Sequence, residues 1–193
     1  MLREMTMSVK TGERKHQILQ MLAEMLEQPR AARITTAALA ARLQCSEAAL
    51  YRHFASKAQM FEGLIDFVDQ SVIGLIRQVT DREPAGSNQA ARIVALLLQF
   101  AEKNPGMCRV MTGDALVLEH ERLQERINLL FDKIEAQLRQ SLKGQATDTP
   151  TADAQLAASV LVAFMQGRLQ RFARSGFKRL PSEHLQAALA RIL

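Results

Sequence analysis

ITTAALAARLQCSEAALYRHFASK, Ile34–Lys57, reads as two short helices set off by capping residues. Thr35 or Thr36 opens the first, which carries Leu39 and Leu43 four apart on one side. Ser46 opens the second, whose inward pair is Leu50 and Phe54, and Ser56 opens the helix after it. At each start a hydroxyl oxygen accepts from a backbone N–H that the first helical turn leaves without a partner. Two short helices joined by a tight turn, the second beginning with small residues, is the outline of a helix-turn-helix. If the second helix enters a major groove, its first turn must approach base edges closely. Glu47, Ala48 and Ala49 are short enough for that. Glu47 is expected to accept from a cytosine amine, and Ala48 or Ala49 to touch a thymine methyl. Tyr51 and His53 fall at the helix end, where a hydroxyl and an imidazole reach phosphates. Ser56 and Lys57 bring free N–H groups, a helix dipole and an ammonium to one point, which suits an anion, and Thr35 and Thr36 offer a similar arrangement. Capping residues also serve only as caps, and Tyr51 could be a core aromatic with a wet hydroxyl. The joint spacing is what favours DNA.

Outward from this stretch every clear periodicity is helical and none alternates with period two, so the expected fold is all-α with about nine helices. Ile18, Leu22, Met25 and Leu26 mark a first helix ending at Gln28-Pro29. A long fourth helix runs from Ser56 to about Val79, with Phe61, Leu64, Ile65, Val68, Val72, Leu75 and Val79 on its core stripe. A fifth, from about Gln89 to Lys103, is apolar nearly all round and reads as a central buried helix, stopped by Asn104-Pro105-Gly106. A short helix over Met107–Met111 and a long one within about 115–143 follow, the latter ended by Lys143-Gly144. The polar stretch Gln145–Pro150 reads as a linker. Leu156, Val160, Phe164 and Phe172 mark an eighth helix, and Leu185, Leu189 and Ile192 a ninth. Residues 1–55 form the expected DNA-binding domain and residues 56–193 a helical dimerisation and partner-binding domain.

The 193 residues carry a formal charge of +5, unevenly spread. Residues 1–62 hold nine Lys/Arg against six Asp/Glu, and residues 63–143 hold ten against eleven. A basic end suits a polyanion partner. No apolar run approaches the roughly 18 residues of a membrane span, and the start MLREMTMSVKTGERKH lacks the apolar block of a secretory leader. A cytoplasmic protein with two free thiols, Cys45 and Cys108, is expected. The four histidines show no metal-ligand spacing, and no phosphate-cradling glycine loop or nucleophile elbow occurs, so neither enzyme activity nor a cofactor is expected.

The run Leu50-Tyr-Arg-His-Phe-Ala-Ser-Lys57, behind ITTAALAARL, resembles the DNA-binding domain of the TetR family. The resemblance implies that Tyr51, His53 and Lys57 contact the phosphate backbone. The family usually places glycine in the turn where this chain has Gln44, and a non-glycine there costs roughly 1 kcal/mol if the turn is left-handed. KNPGMCRVMTGDALVLEHERLQERINLLFDKIEAQLRQ, Lys103–Gln140, is similar to the nucleoid occlusion branch of the same family. That likeness implies dimers on palindromic chromosomal double-stranded DNA, higher-order spreading, and antagonism of the division protein FtsZ.

On the fourth helix Phe67 lies off the core stripe, about 120° from its centre, with Met60, Gly63, Ser71 and Gly74 on its own face. It is expected to form a shallow apolar slot. The slot suits either packing against the fifth helix or, as the resemblance implies, the flexible tail of FtsZ, with Lys103 and Asn104 adding polar contacts. One helix-turn-helix reads half a site, so a homodimer is expected, held by the helices near 120–143 and 152–175. Gly167 within the latter would be repaid by a close helix approach. Arg168, Arg171 and Arg174 form a basic ridge, read first as a solvated rim. The rival function is a ligand-responsive TetR-type repressor with an apolar pocket beneath helices four to seven.

Overall fold

The computed structural model describes residues 2–28, 34–143 and 151–193, with side chains from residue 12 in the first stretch and residue 153 in the last. Nine α-helices and no strand occur among these residues: α1 (Leu2–Leu26), α2 (Thr36–Arg42), α3 (Glu47–Tyr51), α4 (Lys57–Thr80), α5 (Ser87–Lys103), α6 (Pro105–Met111), α7 (Glu121–Lys143), α8 (Thr151–Arg174) and α9 (Leu185–Ile192). The expected all-α architecture is what forms. The linker at Gln145–Pro150, Pro29 and Gly144 lie outside the described residues.

α1, α2 and α3 make the head. Ile18 and Leu22 of α1, Leu39 of α2 and Leu50 of α3 are buried together with Phe54, and the Lys15 ammonium sits 5.6 Å from the centre of the Phe54 ring. α4 leaves the head and runs into the body, where it packs on α5 and α7. α5 is central, touching α4, α6, α7 and α8. It is not apolar all round, however: Asn88, Arg92 and Gln99 are exposed. The run Ile93–Leu98 hid this, because Ala95 and Leu96 are apolar residues on the half-covered side.

Other parts differ from the sequence reading. The α4 stripe buries Met60 and Ile76 and leaves Leu75 half-covered, so Met60 belongs to the core and not to the Phe67 slot. The seventh helix starts only at Glu121. Left-handed residues at Gly113 (φ 78) and Leu118 (φ 65) break the chain before it, around a single 3-10 turn at Asp114–Leu116. On α8 the buried side is Ala154, Ala158, Leu161, Val162, Met165, Leu169 and Phe172, whereas Leu156 and Val160 are 65% and 44% exposed. Leu156 and Val160, which mark the helix in the sequence, therefore lie off its core face. The helix has two apolar sides, and small alanines face inward where α7 approaches closely.

Both cysteines are free. Burial pushes the Cys108 thiol up to about 12, Asp114 adds to the rise and Arg109 opposes it, so this thiol is an inert core group. Gln44 holds a left-handed turn between α2 and α3 at φ 53, the conformation for which the family usually supplies glycine. Gln44→Gly is expected to stabilise the chain by about 0.5–1 kcal/mol, the relief of the left-handed strain being partly offset by the freer unfolded glycine. Urea unfolding reads this as a raised midpoint at unchanged slope, and an unchanged or lower midpoint would count against strain at this turn.

Candidate nucleic-acid interface and partner groove

The head is assembled by caps. Thr35 Oγ1 accepts from the Ala38 N–H at 3.1 Å, Ser46 Oγ from Ala49 at 3.2 Å and Ser56 Oγ from Gln59 at 3.1 Å. The Gln59 side chain returns the favour by accepting from the Ala55 N–H at 2.7 Å, so the start of α4 is closed from both sides. Thr35, not Thr36, is the cap of α2. Thr36 Oγ1 instead donates to Glu47 Oε2 at 2.5 Å, which ties the first turn of α2 to the first turn of α3. Two residues expected to meet DNA thus hold each other.

Ala48 is exposed at the start of α3, and Tyr51 is 46% exposed at its end. Tyr51 is therefore no core aromatic. His53 is half-buried, and its Nδ1 is closed off from solvent with no hydrogen-bond partner among the described residues. Such an orphaned polar atom costs about 1–3 kcal/mol. Lys57 is placed differently from expectation: its ammonium pairs with the Glu119 carboxylate of the turn before α7 and sits 5.5 Å from the centre of the Phe61 ring.

The head is fastened to the body through α1 and α6. A Cβ on Gly106 would lie 2.3 Å from the Ala23 carbonyl oxygen, so only glycine lets α6 come this close to α1. Arg109 Nη1 donates to the Gln28 and Leu26 carbonyls at 3.1 and 3.5 Å, capping the C-terminus of α1. The Asn-Pro-Gly sequence read as a helix stop is thus also a docking point. Spacing could not show this, because the partner backbone is more than 80 residues away in the chain.

Phe67 is 49% exposed and lies 6.4 Å, centre to centre, from Phe100 of α5. It lines a groove of about 330 Å³ whose opposite wall is α1, with Leu19, Ala23 and Glu24, and whose end carries Asn104 and Met107. The slot is therefore not bounded by two glycines. Leu19 fills the space over Gly63, while none of the described residues stands over Gly74. Asn104 Nδ2 donates to the Phe100 carbonyl at 2.7 Å; Lys103 is exposed one residue earlier, outside the groove lining. Phe100 and the α1 wall went unnoticed in the sequence, since helical projection of α4 alone carries no information about what faces it.

Residues 18–64 match the family model described as bacterial regulatory proteins, tetR family. Residues 88–192 match the SlmA-like model described as Tetracyclin repressor-like, C-terminal domain. A nucleoid occlusion factor SlmA from Idiomarina loihiensis is 47% identical over 184 residues, covering 94% of both chains. Those of Shewanella oneidensis and Photobacterium profundum are each 48% identical, covering 93% and 91% of this chain and 92% and 91% of their own. Among solved structures, a TetR-like transcriptional regulator from a Rhodococcus species superposes with a TM-score of 0.71 at 17% identity over 92% of this chain and 94% of its own. The regulator PfmR from Thermus thermophilus does so with 0.69 at 21%, over 91% and 96%. At those identities the superpositions speak for the fold. Head and body each match their counterpart, and relatives near half identity span nearly the whole length, so the chain belongs to the SlmA family of nucleoid occlusion factors, DNA-binding proteins of the TetR type and not enzymes.

Proposed function

We propose that the protein binds palindromic chromosomal DNA as a homodimer, assembles further along it, and inhibits FtsZ ring assembly over the nucleoid from a cytoplasmic, nucleoid-associated position. Residues 1–55 read DNA, and residues 56–193 dimerise and receive FtsZ. In the head, Ala48 and Glu47 face bases, while Thr35, Thr36, Ser46, Tyr51, His53 and Lys57 serve the phosphates. The dimer reading is supported by Leu156 and Val160, which with Ala163 and Gly167 form an exposed stripe along α8. Among the described residues nothing comes within 4 Å of a Cβ on Gly167. That leaves room for the close approach of a second copy.

The observation that carries the FtsZ reading is the half-exposed Phe67 in a groove walled by α1 and closed by Asn104. An apolar side chain of an extended tail can sit on Phe67 and Phe100, with Asn104 and Lys103 meeting its backbone and acidic groups. A folded core would not leave an aromatic of this size half in water next to a cavity. Phe67→Ala is expected to weaken binding of an FtsZ tail peptide at least tenfold, the loss of an aromatic anchor costing about 2 kcal/mol or more. DNA affinity stays at the wild-type level. Fluorescence anisotropy with labelled tail and labelled duplex measures both, and loss of the two together would place Phe67 in the core instead. The rival, a ligand-responsive repressor, has less behind it. The cavity among α6, α7 and α8 holds about 160 Å³ and is lined by Gln124, Asn128, Gln166 and Gln170 as well as apolar groups, below the roughly 300 Å³ at which small-molecule sites begin.

A further inference from the structure

Glu47 is the one acidic residue in the stretch Ile34–Lys57, and it opens α3, the element that reads bases in the function proposed above. It is exposed, and among the described residues no cation lies within ion-pair distance of it. A carboxylate at this place repels the phosphates on either side of a groove and so weakens binding to every sequence alike. Only a base that offers it a hydrogen-bond donor offsets that loss. The side chain is not left to swing: the Thr36 hydroxyl donates to its Oε2 at 2.5 Å. Thr36 makes a stiff post for this purpose. Its β-branched side chain is restricted at χ1, it is half-buried, and α2 is fixed around it by the Thr35 cap and the buried Leu39.

We propose that Thr36 is a positioning residue for base recognition: its hydroxyl holds Oε2 of Glu47 and leaves Oε1 to accept from the exocyclic amine of a cytosine. This rests on the base-reading role given to Glu47 above. A glutamate free in solvent loses rotamer freedom when it docks on a base; held by Thr36, it has lost much of that freedom before DNA arrives. The gain is selectivity. In the major groove cytosine presents an amine donor, guanine two acceptors and thymine an acceptor, while adenine sets its N7 acceptor beside its amine. A carboxylate fixed in place is repelled by those acceptors, whereas a mobile one turns aside and tolerates them. The hydroxyl proton of Thr36 is used in this bond, so its contact with phosphate falls to the backbone N–H, which the first helical turn leaves unpaired. The link between α2 and α3 is in this way part of how the sequence is read, and not only a brace between two short helices.

The test uses the full-length protein and a palindrome selected from a random pool, together with duplexes in which each base pair of the half-site is replaced in turn by the other three. Anisotropy at one salt concentration gives the affinity ratio between bases at every position, and any loss common to all sequences, through phosphate contacts or stability, divides out of that ratio. Wild type is expected to prefer cytosine at one position by about tenfold over the next base. Glu47→Ala abolishes that preference and no other. Thr36→Val, nearly isosteric but without the hydroxyl, is expected to reduce it to about threefold or less, and Thr36→Ser, which restores a donor, to keep most of it. A wild-type ratio in Thr36→Val, a loss spread evenly over all positions with the cytosine ratio intact, or a Thr36→Ser as indifferent as Thr36→Val overturns the positioning role. A cytosine preference that survives Glu47→Ala fails one step earlier, at the base-reading role of Glu47 itself.

Discussion

Gly106→Ala is expected to lower the stability of the protein by about 3 kcal/mol, the upper range for forcing an extra methyl into a packed contact. For a chain of this size that is a fall of about 6–12 °C in thermal midpoint. The methyl would stand 2.3 Å from the Ala23 carbonyl oxygen, and a backbone atom of a helix cannot rotate away as a side chain can. α6 has to retreat from α1, which loosens the Arg109 contacts to the Leu26 and Gln28 carbonyls as well. Because α1 is the floor of the reading head, DNA affinity is expected to fall together with stability. Calorimetry and anisotropy on the same preparation check this, and a wild-type midpoint would mean that the two helices do not meet as closely as described. The contrast is Gly113, whose neighbour is the flexible end of Gln124 at 2.5 Å. There the left-handed φ of 78, not crowding, demands glycine.

Val160→Asp is expected to abolish the dimer and to lower affinity for a selected palindrome by roughly 100-fold or more, toward non-specific binding. Val160 is 44% exposed in the single chain, so an aspartate costs the monomer fold little. In a dimer joined along α8 the same carboxylate would be buried opposite its own copy, unpaired and next to a like charge. Light scattering should report a monomer with unaltered helical content. A dimer that persists would move the interface to another face.

The caps at Ser46 and Ser56, a threonine cap at Thr35 or Thr36 and the all-α fold were legible from residue chemistry, because each depends on neighbours in the chain, whereas the left-handed Gln44 came from the family resemblance. Phe67 as an outsider on α4 was legible too. What lay beyond the sequence depends on what approaches from afar. Which side of α8 is buried was not legible, because Leu156 and Val160 look more apolar than Ala154 and Ala158, yet close packing by α7 selects the small residues. Gly106 looked like a stop, and its contact with Ala23 exists only once α6 lies on α1. Lys57 looked free for phosphate, and its partner Glu119 is 62 residues away.

The proposed function requires that DNA and FtsZ meet on one protein and that FtsZ is inhibited by the DNA-bound form. Light scattering of FtsZ assembling with GTP, in the presence of the protein and of a palindrome selected from a random pool, tests it most directly. Dose-dependent loss of polymer with the selected duplex, and little loss with a scrambled one, is the predicted result; polymer that persists at saturating protein and selected DNA would contradict it.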